Sequence, residues 1–547
     1  MKKITRTVIL AALAMSLACT SGDPVSEIDQ AALEAVGAES YAAHIRALSA
    51  DELMGRKPFT KGDTLTVNYI EEQFKSLGLE PGNGDSYFQE VPMAEITSLP
   101  GNPAWTFKGE SGQFTIQHLD DYVIGSKRLM EEIPVDETEL VFAGFGIVAP
   151  EYDWNDYEGL DASGKTVVVM VNDPGYYDKS LFKGDTMTYY GRWTYKFEEA
   201  ARQGATGVLI IHDTGGASYG WSVVRNGWNG PQLNLQTTDN GASRAAFEGW
   251  LTAESAEKLF KLAGNDQDLI AEAKKPGFKP VALGVKTSVT IHNSFRKSTS
   301  NNVIAKLPGT KRPDEVIIYT AHWDHLGIGE AAEGDSIFNG AIDNATGVAA
   351  LFELAKGFKA AAVQPERSIV FLAVTAEEEG LLGSAYYASN PIYPLNKTVA
   401  NINMDSFSPL GRTSDYSVVG LGHSELDEYA IAAASRQGRT VVDSGNPSAG
   451  GFFRSDHFNF VKVGVPALYS GSGRELIGDP DEIAAIKEKF AGRYHQVSDE
   501  FDEENWVMDG ILEDIRLVLD VGYRLSMEKT FPKWKSGSEF KEIGDNR

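Results

Sequence analysis

Apolar residues recur at helical spacing from Ser26 to Leu79. The pattern is clearest in Tyr69, Ile70, Phe74 and Leu77, with Gly78 placed to end the helix. Within this stretch Ser49-Ala50-Asp51-Glu52 has the residue types of a capping box. After a polar, Gly- and Pro-rich stretch the texture changes near Thr138. Leu140–Ile147, Thr166–Val171 and Gly207–His212 read as strands, with helices over Lys196–Gln203 and from a Thr252 cap to Leu262. From Asn301 strands and helices alternate. Val316–Thr320, Ile369–Val374, Val399–Met404 and Val465–Ser470 are strand-like, and Asp343–Phe358 has helical spacing. The unbroken apolar run Ile369–Val374 suits a central strand covered on both faces. The pattern predicts an α/β protein: an open mixed, mostly parallel sheet with helices on both faces, preceded by a small β-rich insertion.

The chain has 547 residues, enough for two or three domains, and 42% hydrophobic content, enough for a sizeable core. Its formal net charge of −27 argues against nucleic acid as a partner, since phosphate binding needs a basic surface.

The N-terminus combines Lys2, Lys3 and Arg6 with an apolar run, Val8 to Ala18, too short to span a bilayer. Ser16-Leu17-Ala18-Cys19 resembles a bacterial lipobox, with Ser where Leu is usual, and Cys19 is the only cysteine. The expectation is a lipoprotein signal peptide over residues 1–18 and a lipid anchor on Cys19. The protein would then be exported and tethered to a bacterial membrane, the outer membrane facing periplasm or cell surface. No other run is long and apolar enough to cross a membrane.

Candidate chemistry collects after predicted strands, where open α/β sheets gather ligands. His322 and Asp324 follow one strand, Glu377 and Glu378 a second, and Asp405 ends a third; Asp343 is placed at a helix start, where a carboxylate is favoured. Each residue alone is ordinary. Together they crowd five acids onto one sheet edge, and like charges about 4 Å apart cost on the order of 4 kcal/mol per pair at an effective dielectric of 20. A pair of divalent cations removes that cost.

The motifs TAHWDHLG, NGAIDNATG, VTAEEEGLLGS, NMDS and RYHQVSDE resemble, in order and context, those of the co-catalytic dizinc exopeptidases, the family of bacterial leucyl aminopeptidases and glutamate carboxypeptidase II. The segment from Ala143 to Asp213 resembles the protease-associated domain inserted in several of them. The resemblance implies domains at 19–132 (N-terminal helical part of the peptidase domain), 133–290 (protease-associated insertion) and 291–547 (catalytic domain). It implies two zinc ions: His322 and Asp405 on one, Glu378 and His495 on the other, Asp343 bridging, and a cis peptide after Asp343. Asp324 would hold the His322 imidazole through a hydrogen bond, and Glu377 would be the general base toward a metal-activated water. Glu379 would point elsewhere. Arg454, Asp456 and His457 resemble a segment near the family's substrate pocket, and Phe452 and Phe453 are either pocket or core. His325 is expected at the rim.

The function implied is an aminopeptidase acting on peptides. A carboxypeptidase or dipeptidase of the same fold is the alternative, kept open by Arg454, since a basic residue can hold a terminal carboxylate. A binding ectodomain without catalysis, or an aminoacyl-cyclising transferase with one metal, would not need the full ligand set.

Overall fold

The computed structural model describes residues 28–264, 268–332, 334–444 and 447–547. The signal segment and Cys19 lie outside the described residues. Two cores are built on one continuous network of strands.

In the C-terminal half, Arg367–Val374, Arg312–His322, Thr398–Asn403 and Ala467–Ser472 lie side by side and parallel. The end of Val281–Leu307 flanks one edge antiparallel, and Asp415–Val419 flanks the other, also antiparallel. Side-chain alternation sends Ile317, Tyr319 and Ala321 into one core and Val316 and Ile318 into another. Helices Ala38–Leu48, Lys61–Ser76, Thr346–Ala360 and Met508–Met527 cover the first face. Helices Leu382–Ser389 and His457–Lys462 cover the second. The sheet is therefore mixed, mostly parallel and covered on both faces, as the apolar pattern predicts.

The second unit centres on the parallel strands Glu132–Phe142, Lys165–Met170, Gly207–Ile211 and Phe247–Leu251. Its core also takes in Trp105, Phe107, Ile116, Tyr122 and Ile124. This moves the start of the unit ahead of the expected boundary at 133, and the stretch 80–125, placed in a helical part, is made of strands. Nor does the unit end at 290. Val281–Leu307 is one strand of 27 residues, contributing Val285 and Ile291 to the second core and Val303 and Ala305 to the first.

Two local expectations need correction. Ser49 does not cap a following helix; its hydroxyl donates to the Ile45 carbonyl at the end of the preceding one. Asp343 does not begin a helix either. It sits in the turn Ala341–Ala345 with φ −112° and ψ 94°, and the regular helix starts at Thr346. By contrast Gly78, with φ 65°, follows the helix Lys61–Ser76, and the Thr252 side chain accepts the Ser255 N–H, as expected.

Candidate metal centre

Three neighbouring parallel strands end at the same edge, and their last residues or the turns after them carry His322, Glu377 and Glu378, and Asp405. The turn after Val374 is tight: Ala376 has φ +53°, and the Gly380 and Leu381 N–H groups return to the Glu377 carbonyl at 2.9 and 2.8 Å. This turn directs both glutamates to the edge. Glu379 points away, toward Lys57 at 3.5 Å.

Asp343 stands between two imidazoles. Its Oδ1 lies 3.2 Å from His322 Nε2 and its Oδ2 3.3 Å from His495 Nε2. His322 Nε2 is also 3.3 Å from Asp405 Oδ1, and His495 Nε2 is 3.0 Å from Glu378 Oε2. The structure thus brings together His322, Asp343, Glu378, Asp405 and His495, although His495 lies far along the chain. The peptide Asp343–Asn344 is cis. Asn344 ties this turn to the end of the strand before Asp405: its Nδ2 donates to the Met404 carbonyl at 3.0 Å and its Oδ1 accepts the Ser406 N–H at 3.1 Å.

The charges require one another. Burial disfavours a charged His322, but Glu377, Asp405 and Asp343 outweigh it and hold the imidazole well above its ordinary pKa. His495 is likewise held at about 10 against burial, by Asp343 and Glu378. Glu378 is lowered to about 2 against burial, by hydrogen bonds from His325 and His495. Glu377 behaves oppositely: burial, reinforced by Asp405 and Asp456, raises it well above the carboxylate range. Protons on the imidazoles supply positive charge between the acids.

Asp324 acts differently from the expectation. His322 Nδ1 donates to the Asp324 backbone carbonyl at 3.1 Å, whereas the Asp324 carboxylate is 3.9 Å away. That carboxylate accepts the N–H of Glu377 at 3.0 Å and of Glu378 at 3.3 Å. It therefore fixes the glutamate turn rather than the imidazole. His325 is not at the rim: it is buried, and its Nδ1 lies 2.7 Å from Glu378 Oε1. Two tight donor groups result, His322 with Glu377 and Asp405, and His325 with Asp343 and Glu378. The second holds His325 where the resemblance implies His495; both rings reach Glu378.

The expected pocket residues divide. Arg454 is exposed. Asp456 and His457 are fully buried and do not line a surface. Asp456 Oδ1 accepts the Ser384 hydroxyl at 2.5 Å, and the His457 ring packs against Phe452 and Tyr469. Phe452 and Phe453 are core. The residue between Arg454 and Asp456, Ser455, is the one that reaches the centre, donating to Asp405 Oδ2 at 2.6 Å.

Two further residues, outside the expected ligand set, support the centre. Asp499 accepts the N–H groups of Ile342 and Asp343. Arg56, buried among the N-terminal helices, donates to four carbonyls: Trp323 (2.7 Å), Leu48 (2.6 Å), Asn339 (2.5 Å) and Gly340 (2.9 Å). It clasps the segments that carry His322 and Asp343.

Residues 302–518 match the model of peptidase family M28. All five expected ligands and Glu377 fall within the matched residues. Mouse aminopeptidase NAALADL1 is 34% identical over 138 residues, 24% of this chain and 17% of that protein. Bovine carboxypeptidase Q is 25% identical over 269 residues, 48% of this chain and 46% of that protein. The chain thus spans less than half the length of either relative. Among solved structures, an aminopeptidase from Aneurinibacillus sp. strain AM-1 shares the fold with a TM-score of 0.51 and 20% identity, covering 91% of this chain and 95% of that one.

Proposed function

We propose that the chain is a two-zinc exopeptidase that removes N-terminal residues from peptides. The observation that carries this reading is the Asp343 carboxylate set between His322 and His495, with Asp405 and Glu378 completing each side. The donor separations of 3.0–3.3 Å suit the edges of a tetrahedron around zinc. At bond lengths of about 2.0–2.1 Å such an edge is roughly 3.3 Å. The residues therefore fit the pair: His322 and Asp405 would hold one ion, Glu378 and His495 the other, and Asp343 both.

When bound, such ions supply Lewis acidity toward a carbonyl and lower the pKa of water. Glu377, beside the ligands, accepts a proton from the attacking water and returns it to the leaving amine. Asp324 keeps Glu377 and Glu378 in register through their N–H groups, and Ser455 keeps Asp405 oriented.

The test is a panel of aminoacyl-arylamides and dipeptides blocked at either end, with and without chelator. Hydrolysis of N-free substrates that stops on chelation supports the reading; hydrolysis only of C-free, N-blocked substrates favours a carboxypeptidase. The signal-like N-terminus supports an exported, lipid-anchored protein. Membrane release of a Cys19→Ala variant tests this, and an unchanged distribution excludes the anchor.

A further inference from the structure

His325 stands in the turn after Arg312–His322, and its ring meets the segments that carry all three expected ligands of one ion. Its Nδ1 lies 2.7 Å from Glu378 Oε1. Its edge faces the His495 ring, with centroids 5.7 Å apart and planes at 74°. Its Cγ and Cδ2 press on Gly340, which opens the turn of Asp343. An added Cβ at Gly340 would stand 2.6 Å from both atoms, on a backbone already at φ +55°. The ring is buried, and its Nε2 has no hydrogen-bond partner among the described residues.

The three metal-side carboxylates use their oxygens in two ways. Asp343 turns both toward ligand imidazoles, Oδ1 to His322 and Oδ2 to His495. Asp405 and Glu378 turn only one each: Asp405 Oδ1 to His322 at 3.3 Å, and Glu378 Oε2 to His495 at 3.0 Å. Their other oxygens face donors outside the expected ligand set. Asp405 Oδ2 accepts from Ser455 at 2.6 Å, and Glu378 Oε1 accepts from His325 at 2.7 Å. His325 is thus to Glu378 what Ser455 is to Asp405.

The His325 ring could instead be a further ligand, since it offers a nitrogen close to oxygens of Asp343 and Glu378. The distance decides against this. A separation of 2.7 Å is that of a charge-assisted N–H···O bond, and it is shorter than the roughly 3.3 Å between two donors on one zinc. An ionised carboxylate only accepts, so Nδ1 carries the hydrogen.

We propose that His325 is the positioning residue of the Glu378–His495 metal site. By holding Oε1 it leaves Oε2 as the single oxygen that Glu378 offers to the ion. The inference rests on the two-zinc reading above. It makes the two metal sites separable, because the His322–Asp405 side has its own donor in Ser455.

Zinc binding to the full chain is measured by competition with a fluorescent chelator, for the parent and for His325→Leu, His325→Gln and His325→Asn. Asn keeps an N–H where Nδ1 stands; Gln carries its N–H one bond farther, where Nε2 stands. The parent should bind two zinc ions. Leu and Gln should weaken one of them about 10–100-fold, the usual cost of removing the partner of a metal ligand, and leave the other unchanged. Asn should restore most of the loss. In a His495→Ala chain, where the same site is already disabled, His325→Gln should add little further loss. Parent affinities in both Leu and Gln, equal weakening of both ions, or equal behaviour of Asn and Gln would overturn the positioning role, while two zinc ions in the parent leave the peptidase reading standing. Fewer than two in the parent overturns both. Gln and Asn are both polar, so their contrast decides the matter even if His325→Leu does not fold.

Discussion

The Asp499 carboxylate accepts the backbone N–H groups of Ile342 and Asp343, at 2.9 and 3.0 Å, four residues after His495. One short segment thus delivers an imidazole to the centre and fixes the backbone of the bridging acid. Asp499→Ala should leave those N–H groups without their acceptor and loosen both contributions. The expected outcome is loss of about one bound metal per chain and destabilisation of about 1–3 kcal/mol. Metal analysis and urea unfolding read the two effects; full occupancy in the variant would count against this role.

Glu377→Gln removes proton acceptance but keeps size and the N–H bonded to Asp324. Turnover should fall on the order of 10²–10⁴-fold while metal content and melting temperature stay near the parent values. Turnover within a few-fold of the parent would remove Glu377 as the base.

Arg56→Met leaves four carbonyls around Trp323, Leu48, Asn339 and Gly340 without their donor. The cost should be on the order of 3–5 kcal/mol, as for other broken buried charge networks. Arg56→Lys should recover only part of it, because an ammonium cannot reproduce the fork. Equilibrium unfolding of the two variants gives the comparison, and equal stability of both with the parent would refute the clasp.

In the metal-free protein His495 is held at about 10. Its stabilising contribution is therefore complete below the unfolded value of about 6.5 and is lost as pH rises through 10. Because zinc needs the neutral imidazole, loading at neutral pH should release protons, and zinc affinity should rise with pH over this range. Calorimetric titrations in buffers of different ionisation enthalpy measure the release. Zinc uptake without proton release would contradict the protonated pair.

His322, Glu378 and Asp405 were legible because they follow apolar strand runs: Ile369–Val374 announces a buried strand, and Glu377 and Glu378 must then lie at its edge, whereas Asp343 and His495 follow no such run and entered through the resemblance of their motifs. The sheet followed from the same pattern. What acts through the backbone was not legible. Arg56 bonds carbonyls up to 284 positions away and matches no motif, since any residue type presents a carbonyl. Asp324 falls inside a motif, yet its carboxylate serves the glutamate N–H groups, a choice set by the Ala376 turn rather than by spacing. Asp456 and His457 were expected at the pocket because their segment resembles one near the family's substrate pocket; their full burial makes them support. The boundary at 290 failed because alternation continues through it, as it must in a single strand.

That uninterrupted strand, with the Arg56 clasp, bears on what can be cut from this protein. Residues 302–518 contain every proposed ligand, but such a fragment would begin inside Val281–Leu307. It would lack Arg56, would lose Tyr41, Ile70 and Phe74 from its core, and would stop within the helix Met508–Met527. The stretch that defines the family in sequence is not the stretch that can stand alone in water, and a trimmed catalytic domain should be sought by keeping both ends of the chain.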